Sequence, residues 1–385
     1  MFKIAALNKI SQKGIEMFSE HYSLVEDLEV ADGILVRSHE MNAMALSPNW
    51  LAIARAGAGV NNIPLDACSK QGIVVFNTPG ANANAVKELV LTGLLLSARD
   101  VAGAIAWTKT LKTDVAKTVE KQKSQFAGHE IKGKTLGVIG LGAIGVMVAN
   151  AASDLGMHVI GYDPYMSLQS AHQLSSTVRF CESLELCLPQ CDYITIHIPF
   201  MEATKGLIGK RQFDLMKNGV CILNFSRDQI VDDAAILDAL AEGKLRQYVT
   251  DFPSEQFIHQ EGVICIPHLG ASTRESEENC AIMAVEELMD YLENGNIKNS
   301  VNYPDCWMGV CGTQGRIAVL NKNIPAMLGK ITGILADMNI NISDLNNRSK
   351  GEYAYTLLDV DSKVDEAALR KALSVEGIIA VRIIK

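Results

Sequence analysis

The sequence predicts an α/β protein of two doubly wound parallel sheets followed by a smaller ferredoxin-like βαββαβ unit. Three observations lead to this prediction. Short apolar runs alternate with helical stretches over the first ninety residues, the same alternation restarts at Thr135, and the last seventy residues change to a βαββαβ order. Strands that alternate with helices favour parallel pairing through crossover helices. With 385 residues, the chain is long enough for three such units.

The composition excludes several classes of protein. Lys and Arg number 35 against 44 Asp and Glu, a formal net charge of −9. Since nucleic-acid binding needs clustered cations, we expect no nucleic-acid partner. An apolar content of 48% and a mean hydropathy of +0.12 exclude a disordered chain. The most apolar run, Leu89 to Ala98, is too short to span a bilayer, so no membrane partner is expected.

The nine cysteines are scattered along the chain and do not suggest a disulfide framework. The N-terminal residues do not show the pattern of a secretory signal, and the sequence therefore predicts a cytoplasmic protein. Cys181, Cys187 and Cys191 lie close together, but their spacing is not that of a CxxC motif. Ordinary core cysteines are favoured over a zinc site, and no metal is expected.

The first unit begins with apolar runs of strand character. Strands are predicted over 2–7, 31–37, 52–56 and 73–76, with a helix over 11–20. The strand over 73–76 is rich in β-branched residues and opens into the turn-forming sequence NTPGANANA. Such a succession of short strands and helices is typical of a parallel sheet.

The middle of the chain starts with a helical pattern over 85–110 that has few breakers and is predicted as one helix bridging two domains. The lysine-rich stretch 111–134 is predicted as a solvated connection. Further strands follow over 135–275, and a helix over 275–294 returns from them. Residues 298–315, which contain proline and several glycines, are predicted as a linker.

The last seventy residues follow the ferredoxin-like order. Strands are predicted over 316–320, 340–346, 353–360 and 378–383, and helices over 326–338 and 365–374. The expected domains are therefore a discontinuous first domain of 1–98 and 276–304, a second of 99–275 and a third of 315–385.

A glycine-rich motif, GLGAIG, lies between a predicted strand and a predicted helix. Gly140 allows a tight turn, Gly142 lets the backbone approach a pyrophosphate, and Gly145 lets the helix pack closely on the strand. The helix that starts at Ala143 and Ile144 offers free N–H groups and partial positive charge to phosphates. The motif in this context predicts a Rossmann-like dinucleotide-binding domain.

An acidic residue ends the next strand. Asp163 follows Gly140 by 23 residues, which is the spacing of a carboxylate that accepts hydrogen bonds from the adenosine ribose. A carboxylate there repels a 2′-phosphate, and neither Pro164 nor Tyr165 brings a cation. The motif therefore favours NAD over NADP.

Three later residues form a set suited to oxidising a 2-hydroxy acid. Arg227, Glu255 and His268 each follow a predicted strand, and the carboxyl ends of strands are where open α/β sheets bind ligands. Histidine suits removal of a hydroxyl proton near neutral pH, and a carboxylate orients the imidazole. An arginine can hold the substrate carboxylate with two hydrogen bonds.

These motifs resemble those of the NAD-specific D-2-hydroxyacid dehydrogenases. The resemblance rests on GLGAIG with Asp163, HIP at 197–199, NFSRDQIVD, TDFPSE and PHLGAST. The first ninety residues and the C-terminal unit resemble the branch of this family that acts on 3-phospho-D-glycerate and ends in an ACT domain, a small amino-acid-sensing module. The resemblance implies a split substrate domain, an inserted NAD-binding domain and a homodimer or homotetramer.

The resemblance also implies a role for each matching residue. Arg227 would bind the substrate carboxylate and carbonyl, and His268, paired with Glu255, would be the acid and base. Cofactor contacts are implied at Gly140, Gly142, Ala143, Ile144, Gly145, Asp163, His197, Pro199, Asp251 and Gly270. Arg37 and Ser38 would contact the substrate, including its phosphate. The backbone N–H groups of Ala58, Gly59 and Val60 would bind its carboxylate, and Asn82 would also contact the substrate.

The chain departs from the family pattern in three places. TDFPSE is one residue shorter between its Asp and Glu than the common form, and Gln256 replaces a proline. Asp228 follows Arg227 where glycine is usual. The basic pattern before the glycine motif is missing, and three lysines are candidates for phosphate-binding charge instead: Lys87, Lys121 and Lys123.

The C-terminal unit keeps part of the family's serine-sensing pattern. Asn323 and Asn341 are kept, whereas Asn321 stands in place of histidine and Ala326 in place of glycine. Two interpretations stay open. Either these asparagines bind L-serine as an effector, or the unit serves only as a dimerisation module.

The expected reaction is the NAD-dependent oxidation of 3-phospho-D-glycerate to 3-phosphooxypyruvate, the first step of L-serine biosynthesis. The same chemistry on an unphosphorylated acid, such as glycerate, lactate, glyoxylate or hydroxypyruvate, is the alternative. A non-catalytic NAD-sensing regulator is a further alternative, against which the joint presence of Arg227, Glu255 and His268 argues.

Overall fold

The computed structural model describes residues 1–385, with sixteen strands and thirteen α-helices. Its backbone contacts divide the chain into two compact units. The first unit joins residues 1–82 to residues 274–385, and the second comprises residues 83–273. Each unit contains a parallel sheet, so the predicted α/β class is confirmed.

The first unit contains a five-stranded parallel sheet in the order β2-β1-β3-β4-β5. Its elements are β1 (Phe2–Ala6), α1 (Gln12–Ile15), β2 (Tyr22–Leu24), β3 (Gly33–Val36), β4 (Ala52–Arg55), α2 (Leu65–Gln71) and β5 (Val74–Phe76). The three-residue strand β2 was not predicted, and the predicted helix over 11–20 is limited to α1. Strands β3 to β5 are almost wholly buried, as expected when both faces of a parallel sheet are covered.

The second unit contains a seven-stranded parallel sheet. Its strands are β6 (Thr135–Ile139), β7 (His158–Tyr162), β8 (Arg179–Phe180), β9 (Tyr193–Ile196), β10 (Val220–Asn224), β11 (Leu245–Thr250) and β12 (Val263–Cys265). Its helices are α3 (Ala83–Ala98), α4 (Val101–Thr108), α5 (Val115–Gln122), α6 (Ala143–Asp154), α7 (Leu168–Gln173), α8 (Leu184–Cys187), α9 (Lys210–Leu215) and α10 (Asp233–Ala241). The strand order β8-β7-β6-β9-β10-β11-β12 is that of a dinucleotide-binding fold with one strand added.

The prediction of one helix over 85–110 is wrong. Helices α3 and α4 are separate and meet at a bend of 70°. Asp100 causes the break, because its side chain caps the new helix by accepting a hydrogen bond from the Gly103 N–H at 2.9 Å. The following stretch, predicted as a solvated connection, contains the short helix α5.

A long helix, α11 (Arg274–Asn294), returns the chain to the first unit. Its apolar face, which includes Ala281, Ala284 and Leu288, joins the core on one side of the first sheet. A second cluster, with Trp50 among its members, covers the other side. The helix is therefore the main cover of one face of the sheet.

The C-terminal part of the first unit forms a four-stranded antiparallel sheet in the order β14-β15-β13-β16. Its elements are β13 (Gly315–Lys322), α12 (Met327–Asp337), β14 (Ile342–Lys350), β15 (Tyr353–Val360), α13 (Glu366–Ala372) and β16 (Ile378–Ile383). The βαββαβ order and this strand arrangement match the predicted ferredoxin-like unit.

The antiparallel sheet packs on the C-terminal end of α11. The guanidinium of Arg382 lies 4.4 Å from the centre of the Tyr291 ring and donates hydrogen bonds to the carbonyls of Tyr291 and Leu292. The Tyr355 hydroxyl donates to the carbonyl of Gly295 at 2.6 Å. These contacts satisfy carbonyl groups that the end of a helix leaves without a partner.

The unit boundaries differ from the expected domain boundaries at two places. Residues 83–98 belong to the second unit, because Val90 and Leu94 of α3 pack in one cluster with Val249 of β11. Residues 315–385 belong to the first unit, because their sheet shares the core of α11. The region expected to be a linker is buried around Tyr303, which is fully inaccessible to solvent.

The structure also bears on the hydropathy of the helices and on the state of the cysteines. By length and hydropathy, no single helix qualifies as a membrane span, although the bent pair α3 and α4 meets the criteria when the two are joined. All nine cysteines are free thiols. Cys187 and Cys191 are buried with their Sγ atoms 4.0 Å apart, as expected for core cysteines.

A buried ion pair supports the C-terminal sheet and yields a stability prediction. Arg316 on β13 is fully buried opposite Asp359 on β15, with Nε–Oδ1 and Nη2–Oδ2 distances of 2.6 and 2.8 Å. Removing one partner leaves a buried, uncompensated charge, so we expect Arg316→Met to lower the free energy of unfolding by about 3 kcal/mol in urea denaturation. Arg348→Met, on the exposed strand β14, should change it by less than about 0.5 kcal/mol.

The double variant Arg316→Met/Asp359→Leu separates the charge effect from a packing effect. Because it removes both charges, it should recover part of the lost stability. Equal stability of the single and double variants would contradict the electrostatic explanation.

Candidate active site

The turn between β6 and α6 has the shape required to bind a pyrophosphate. Gly140 has a φ of +94°, and a Cβ atom there would lie 2.5 Å from the carbonyl oxygen of His197. A Cβ atom at Gly145 would lie 1.8 Å from the carbonyl oxygen of Gly140, so α6 packs directly against the turn. No atom lies within 4 Å of the Cβ position of Gly142, which leaves the backbone open to a ligand.

The start of α6 offers hydrogen-bond donors to an anion. The first backward bond of the helix joins the Val146 N–H to the carbonyl of Gly142 at 3.1 Å. The N–H groups of Ala143 and Ile144 therefore remain available at the positive end of the helix dipole. The residues of this turn fit the diphosphate of a dinucleotide.

Asp163 is held beside the glycine turn. Its carboxylate accepts hydrogen bonds from the Leu141 N–H and the Tyr165 N–H, both at 2.8 Å. These bonds orient the half-buried carboxylate at the end of β7, where a ribose would be bound. The structure thus places the predicted acid and the glycine motif together.

His197 and Pro199 follow β9, on the other side of the point where the strand order reverses. The His197 ring nitrogen Nε2 lies 2.9 Å from Thr195 Oγ1, and burial lowers the pKa of this imidazole to about 3. His197 is therefore neutral at physiological pH. The Ser226 hydroxyl donates to the carbonyl of Ile198, which ties this loop to the end of β10.

His268 lies exposed after β12, in the lining of a pocket that also includes the buried carboxylate of Asp251. Asp251 is 1% exposed, and its Oδ2 accepts a hydrogen bond from the Gly270 N–H at 3.1 Å, whereas its Oδ1 has no partner. Burial raises the pKa of Asp251, and the charge of His268 lowers it in part. The edge of the His268 ring packs on Phe252 with the ring centres 5.0 Å apart. The charge of His268 therefore favours the ionised form of Asp251.

A pocket of about 290 Å³ lies next to His268. Its lining includes Asp228, Asp233, Tyr248 and Asp251. Burial, with the charges of Asp228 and Asp232, raises the pKa of Asp233. The sequence analysis noted Asp228 only as a departure from the family pattern and did not single out Asp233, at the start of α10, or Tyr248, within β11.

Arg227 is exposed at the end of β10, and its guanidinium donates to the carbonyl of Ser226 at 2.7 Å. The buried side chain of Asn224 supports this loop by donating to the Arg227 carbonyl at 2.9 Å and to the Tyr248 hydroxyl at 3.1 Å. The remaining guanidinium N–H groups are open to a carboxylate ligand.

Glu255 is exposed and makes no hydrogen bond or ion pair with His268. The expected pair is therefore not formed in this structure. The loop after β11 is the short TDFPSE form, and Gln256, which replaces the usual proline, donates to Asp233 at 2.5 Å. Glu255 is therefore in solvent, and the carboxylate whose pKa the charge of His268 lowers is that of Asp251.

In the first unit, the residues expected to bind substrate lie at the carboxyl ends of β3 and β4. The Arg37 N–H donates to Asn8 Oδ1 at 2.9 Å, and Asn8 Nδ2 donates to Ser38 Oγ at 2.9 Å. Asn8, which follows β1, was missed by the sequence analysis, although its position at a strand end was a signal. Asn82 precedes α3, and its side chain makes no hydrogen bond.

The loop after β4 presents three consecutive backbone donors. The N–H groups of Ala58, Gly59 and Val60 make no hydrogen bond within the protein. Asn77 holds the loop by donating to the Ala58 carbonyl at 2.6 Å. These free donors suit a carboxylate.

The lysines suggested for phosphate binding have other partners. Lys87 lies 2.6 Å from Asn84 Oδ1 and 3.8 Å from Glu88, and Lys123 lies 2.6 Å from Glu120. Lys121 is exposed on α5. Nothing in the second unit gathers these lysines into one site.

The three asparagines of the serine-sensing pattern, in the C-terminal part of the first unit, do not lie together. Asn321 is buried at the end of β13, with its Oδ1 unpartnered, and Asn323 donates to the Gly351 carbonyl at 3.0 Å. Asn341 donates to Asp361 after the end of β15. Because β13 and β15 are antiparallel over eight residue pairs, Asn341 lies at the opposite end of the sheet from the other two.

Comparisons with known proteins agree with this geometry. Residues 91–270 match the model of the D-isomer specific 2-hydroxyacid dehydrogenase NAD-binding domain. The chain is 32% identical to D-3-phosphoglycerate dehydrogenase of Haemophilus influenzae, over 91% of this chain and 86% of that protein. It is also 34% identical to D-3-phosphoglycerate dehydrogenase of Archaeoglobus fulgidus, over 73% of this chain. The matched region spans about half (53%) of that protein's length.

Solved structures show the same architecture. The NAD⁺-bound 3-phosphoglycerate dehydrogenase of Entamoeba histolytica superimposes with a TM-score of 0.60 and 26% identity, over 78% of this chain and 98% of that one. The glycine turn and Asp163 supply the structural features that such a cofactor needs. The chain therefore belongs to the D-isomer specific 2-hydroxyacid dehydrogenase family, and residues 91–270 are its NAD-binding domain.

Proposed function

We propose that this protein oxidises 3-phospho-D-glycerate to 3-phosphooxypyruvate with NAD, the first step of L-serine biosynthesis. The observation that carries the proposal is the exposed imidazole of His268 in one pocket with the buried Asp251 carboxylate, in a chain that shares most of its length with a named D-3-phosphoglycerate dehydrogenase. A base beside a compensating carboxylate is what alcohol oxidation requires.

The cofactor is held by residues of the second unit. The N–H groups at the start of α6 bind the pyrophosphate, and Asp163 binds the adenosine ribose. NAD, when bound by these residues, would supply the hydride acceptor for oxidation at C2 of the acid. Four further residues, in the loops after the strands, are proposed to contact the cofactor: the buried Asp251, the neutral His197, Pro199 and Gly270.

The chain's own groups control the proton and the substrate charge. His268 takes the proton of the C2 hydroxyl, and the positive charge of the imidazolium that forms favours ionisation of Asp251, which in turn stabilises it. Arg227 binds the substrate carboxylate and polarises the developing carbonyl. Glu255 has no contact with His268 in this structure, and its proposed part in orienting the imidazole requires a movement of the short loop after β11.

In the first unit, the loop of Ala58, Gly59 and Val60 offers three free N–H groups to the acid. Arg37, Ser38 and Asn82 are the other residues proposed to bind substrate. We therefore assign the substrate-binding role to residues 1–82 with the N-terminal part of α11, and the cofactor role to residues 83–273.

The C-terminal part of the first unit, residues 315–385, is proposed to be an ACT domain, because of its βαββαβ order and strand arrangement. Because Asn321 and Asn341 lie at opposite ends of one sheet, binding of L-serine through both would need two copies of the unit. A homodimer or homotetramer is therefore part of the proposal. The cytoplasm is the proposed location, which suits nine free thiols.

A second copy would also cover an apolar surface of the second unit. Val101 and Ile105 of α4 are about half exposed, and beside them Trp107 packs on Phe126 in a groove of about 850 Å³. Apolar surface of this kind marks a protein contact.

Removal of the proposed base should stop the reaction without preventing cofactor binding. We expect His268→Ala to lower kcat with 3-phospho-D-glycerate and NAD by about 10²- to 10⁴-fold, because proton transfer loses its acceptor. NADH affinity, measured by fluorescence titration, should stay within about twofold. His172→Ala, at an exposed histidine of α7, is the matched control and should keep full activity. A fully active His268→Ala enzyme would refute the proposed role.

Asp163 should determine the choice of cofactor. Asp163→Asn removes the charge that repels a 2′-phosphate and weakens the bonds to the ribose. We expect kcat/KM for NAD to fall about tenfold and the ratio of NADP to NAD activity to rise. Tyr165→Phe, at an exposed neighbour, serves as control. An unchanged NADP-to-NAD ratio in Asp163→Asn would count against ribose recognition by this carboxylate.

A further inference from the structure

The loop between β11 and β12 is fastened by one side chain in its middle. Gln256 Nε2 donates a hydrogen bond to Asp233 Oδ2 at 2.5 Å. No other side chain over residues 253–256 makes a hydrogen bond or an ion pair: Ser254 Oγ is buried without a partner, and Glu255 is exposed. The Gln256–Asp233 bond is therefore the only polar side-chain contact that fixes this part of the loop.

Both ends of the loop are anchored by aromatic side chains. At its start, the Phe252 N–H donates to Thr250 Oγ1 at 3.1 Å, and the Phe252 ring packs on His268. At its end, Phe257 is buried and packs on Tyr248 with the ring centres 5.6 Å apart. The stretch between the two anchors has few contacts of its own, so it can change its path while the anchors stay in place.

Asp233 is a fixed acceptor for the bond from the loop. It lies in the first turn of α10, whose N-cap Asp232 accepts a hydrogen bond from the Ala235 N–H at 2.8 Å. Burial, with the charges of Asp228 and Asp232, raises the pKa of Asp233. The bond from Gln256 acts in the opposite direction and therefore stabilises the ionised carboxylate, which makes it a charge-assisted hydrogen bond.

Charge also bears on whether Glu255 can approach His268. The pocket beside His268 is lined by three carboxylates, those of Asp228, Asp233 and Asp251. A fourth carboxylate that entered it would be repelled, whereas the neutral amide of the neighbouring side chain is not. The imidazolium that forms when His268 takes a proton acts the other way, because it attracts a carboxylate. The position of Glu255 thus depends on a balance that one hydrogen bond can change.

We propose that Gln256 and Asp233 form a latch that holds Glu255 away from His268, and that opening of the latch brings Glu255 and His268 into contact. Gln256 is thereby a positioning residue, because it acts through Glu255. The two positions of the loop are in equilibrium, so the strength of the Gln256–Asp233 bond sets the fraction of molecules that have the Glu255–His268 pair. The proposal rests on the proposed function, in which His268 is the base.

A double-mutant cycle tests the latch. Gln256→Leu removes the bond and adds no charge. The rate of NADH formation in a single turnover with 3-phospho-D-glycerate should therefore rise about three- to tenfold, as expected when a two-state equilibrium loses one hydrogen bond. In a Glu255→Gln background, the same substitution should change the rate by less than about 1.5-fold, because the carboxylate that the latch controls is absent.

Asp233→Asn supplies an independent check. It keeps the shape of the acceptor but removes its charge, which weakens both the bond from Gln256 and the repulsion of Glu255. The rate should rise about two- to fivefold when Glu255 is present and stay unchanged in the Glu255→Gln background. Gln260→Leu is the matched control, because Gln260 lies in the same loop but donates to the Glu261 carbonyl, and the rate should stay within about 1.5-fold.

A crystal structure of Gln256→Leu tests the latch without turnover. The Glu255 carboxylate should lie within about 3.2 Å of a ring nitrogen of His268 in this variant. An exposed Glu255 there overturns the proposal, as does an unchanged or lowered single-turnover rate, or an equal gain in both backgrounds. A wild-type protein that forms no NADH from 3-phospho-D-glycerate would instead refute the proposed function, and the position of Glu255 in the variant would still decide on the latch.

Discussion

Parallel pairing of the strands is the constraint on which the rest of this structure depends. In each of the two parallel sheets every strand runs in the same direction, so the loops after the strands all emerge at one edge. Residues far apart in sequence, such as Asp163, Arg227 and His268, therefore share the carboxyl edge of one sheet. The same constraint places Arg37 and the loop of Ala58 at the carboxyl edge of the other sheet. Chemistry is concentrated at these edges because their backbone groups are not used by the sheet.

Helix α11 connects the two sheets of the first unit. Its first turn carries Glu277, whose carboxylate lies 2.6 Å from the guanidinium of Arg37 after β3, and its middle covers the first sheet. Its last carbonyls accept hydrogen bonds from Arg316 and Arg382 of the C-terminal sheet. The C-terminal antiparallel sheet is thus joined to this helix, and its buried arginines cap the helix end.

The loop after β11 shows that a residue present in the sequence can lie away from its expected partner. The loop TDFPSE has an acid at Glu255, but this side chain is exposed, and the neighbouring Gln256 donates to Asp233. The carboxylate on which the charge of His268 acts is that of Asp251, which lies buried directly after β11. A residue type kept in the sequence is therefore not evidence that its contact is kept, because loop length decides where the side chain lies.

The sequence by itself determined the α/β class, the glycine turn with Asp163, and the placement of Arg227 and His268 after strands. These features depend on local patterns: glycine tolerates the positive φ of Gly140, and strand and helix periods are short. Tertiary structure decided the bend at Asp100, the exposure of Glu255, the separation of the serine-pattern asparagines and the pairing of Arg37 with Glu277. Each of these depends on which distant segments meet in space, and no pattern within one segment contains that information.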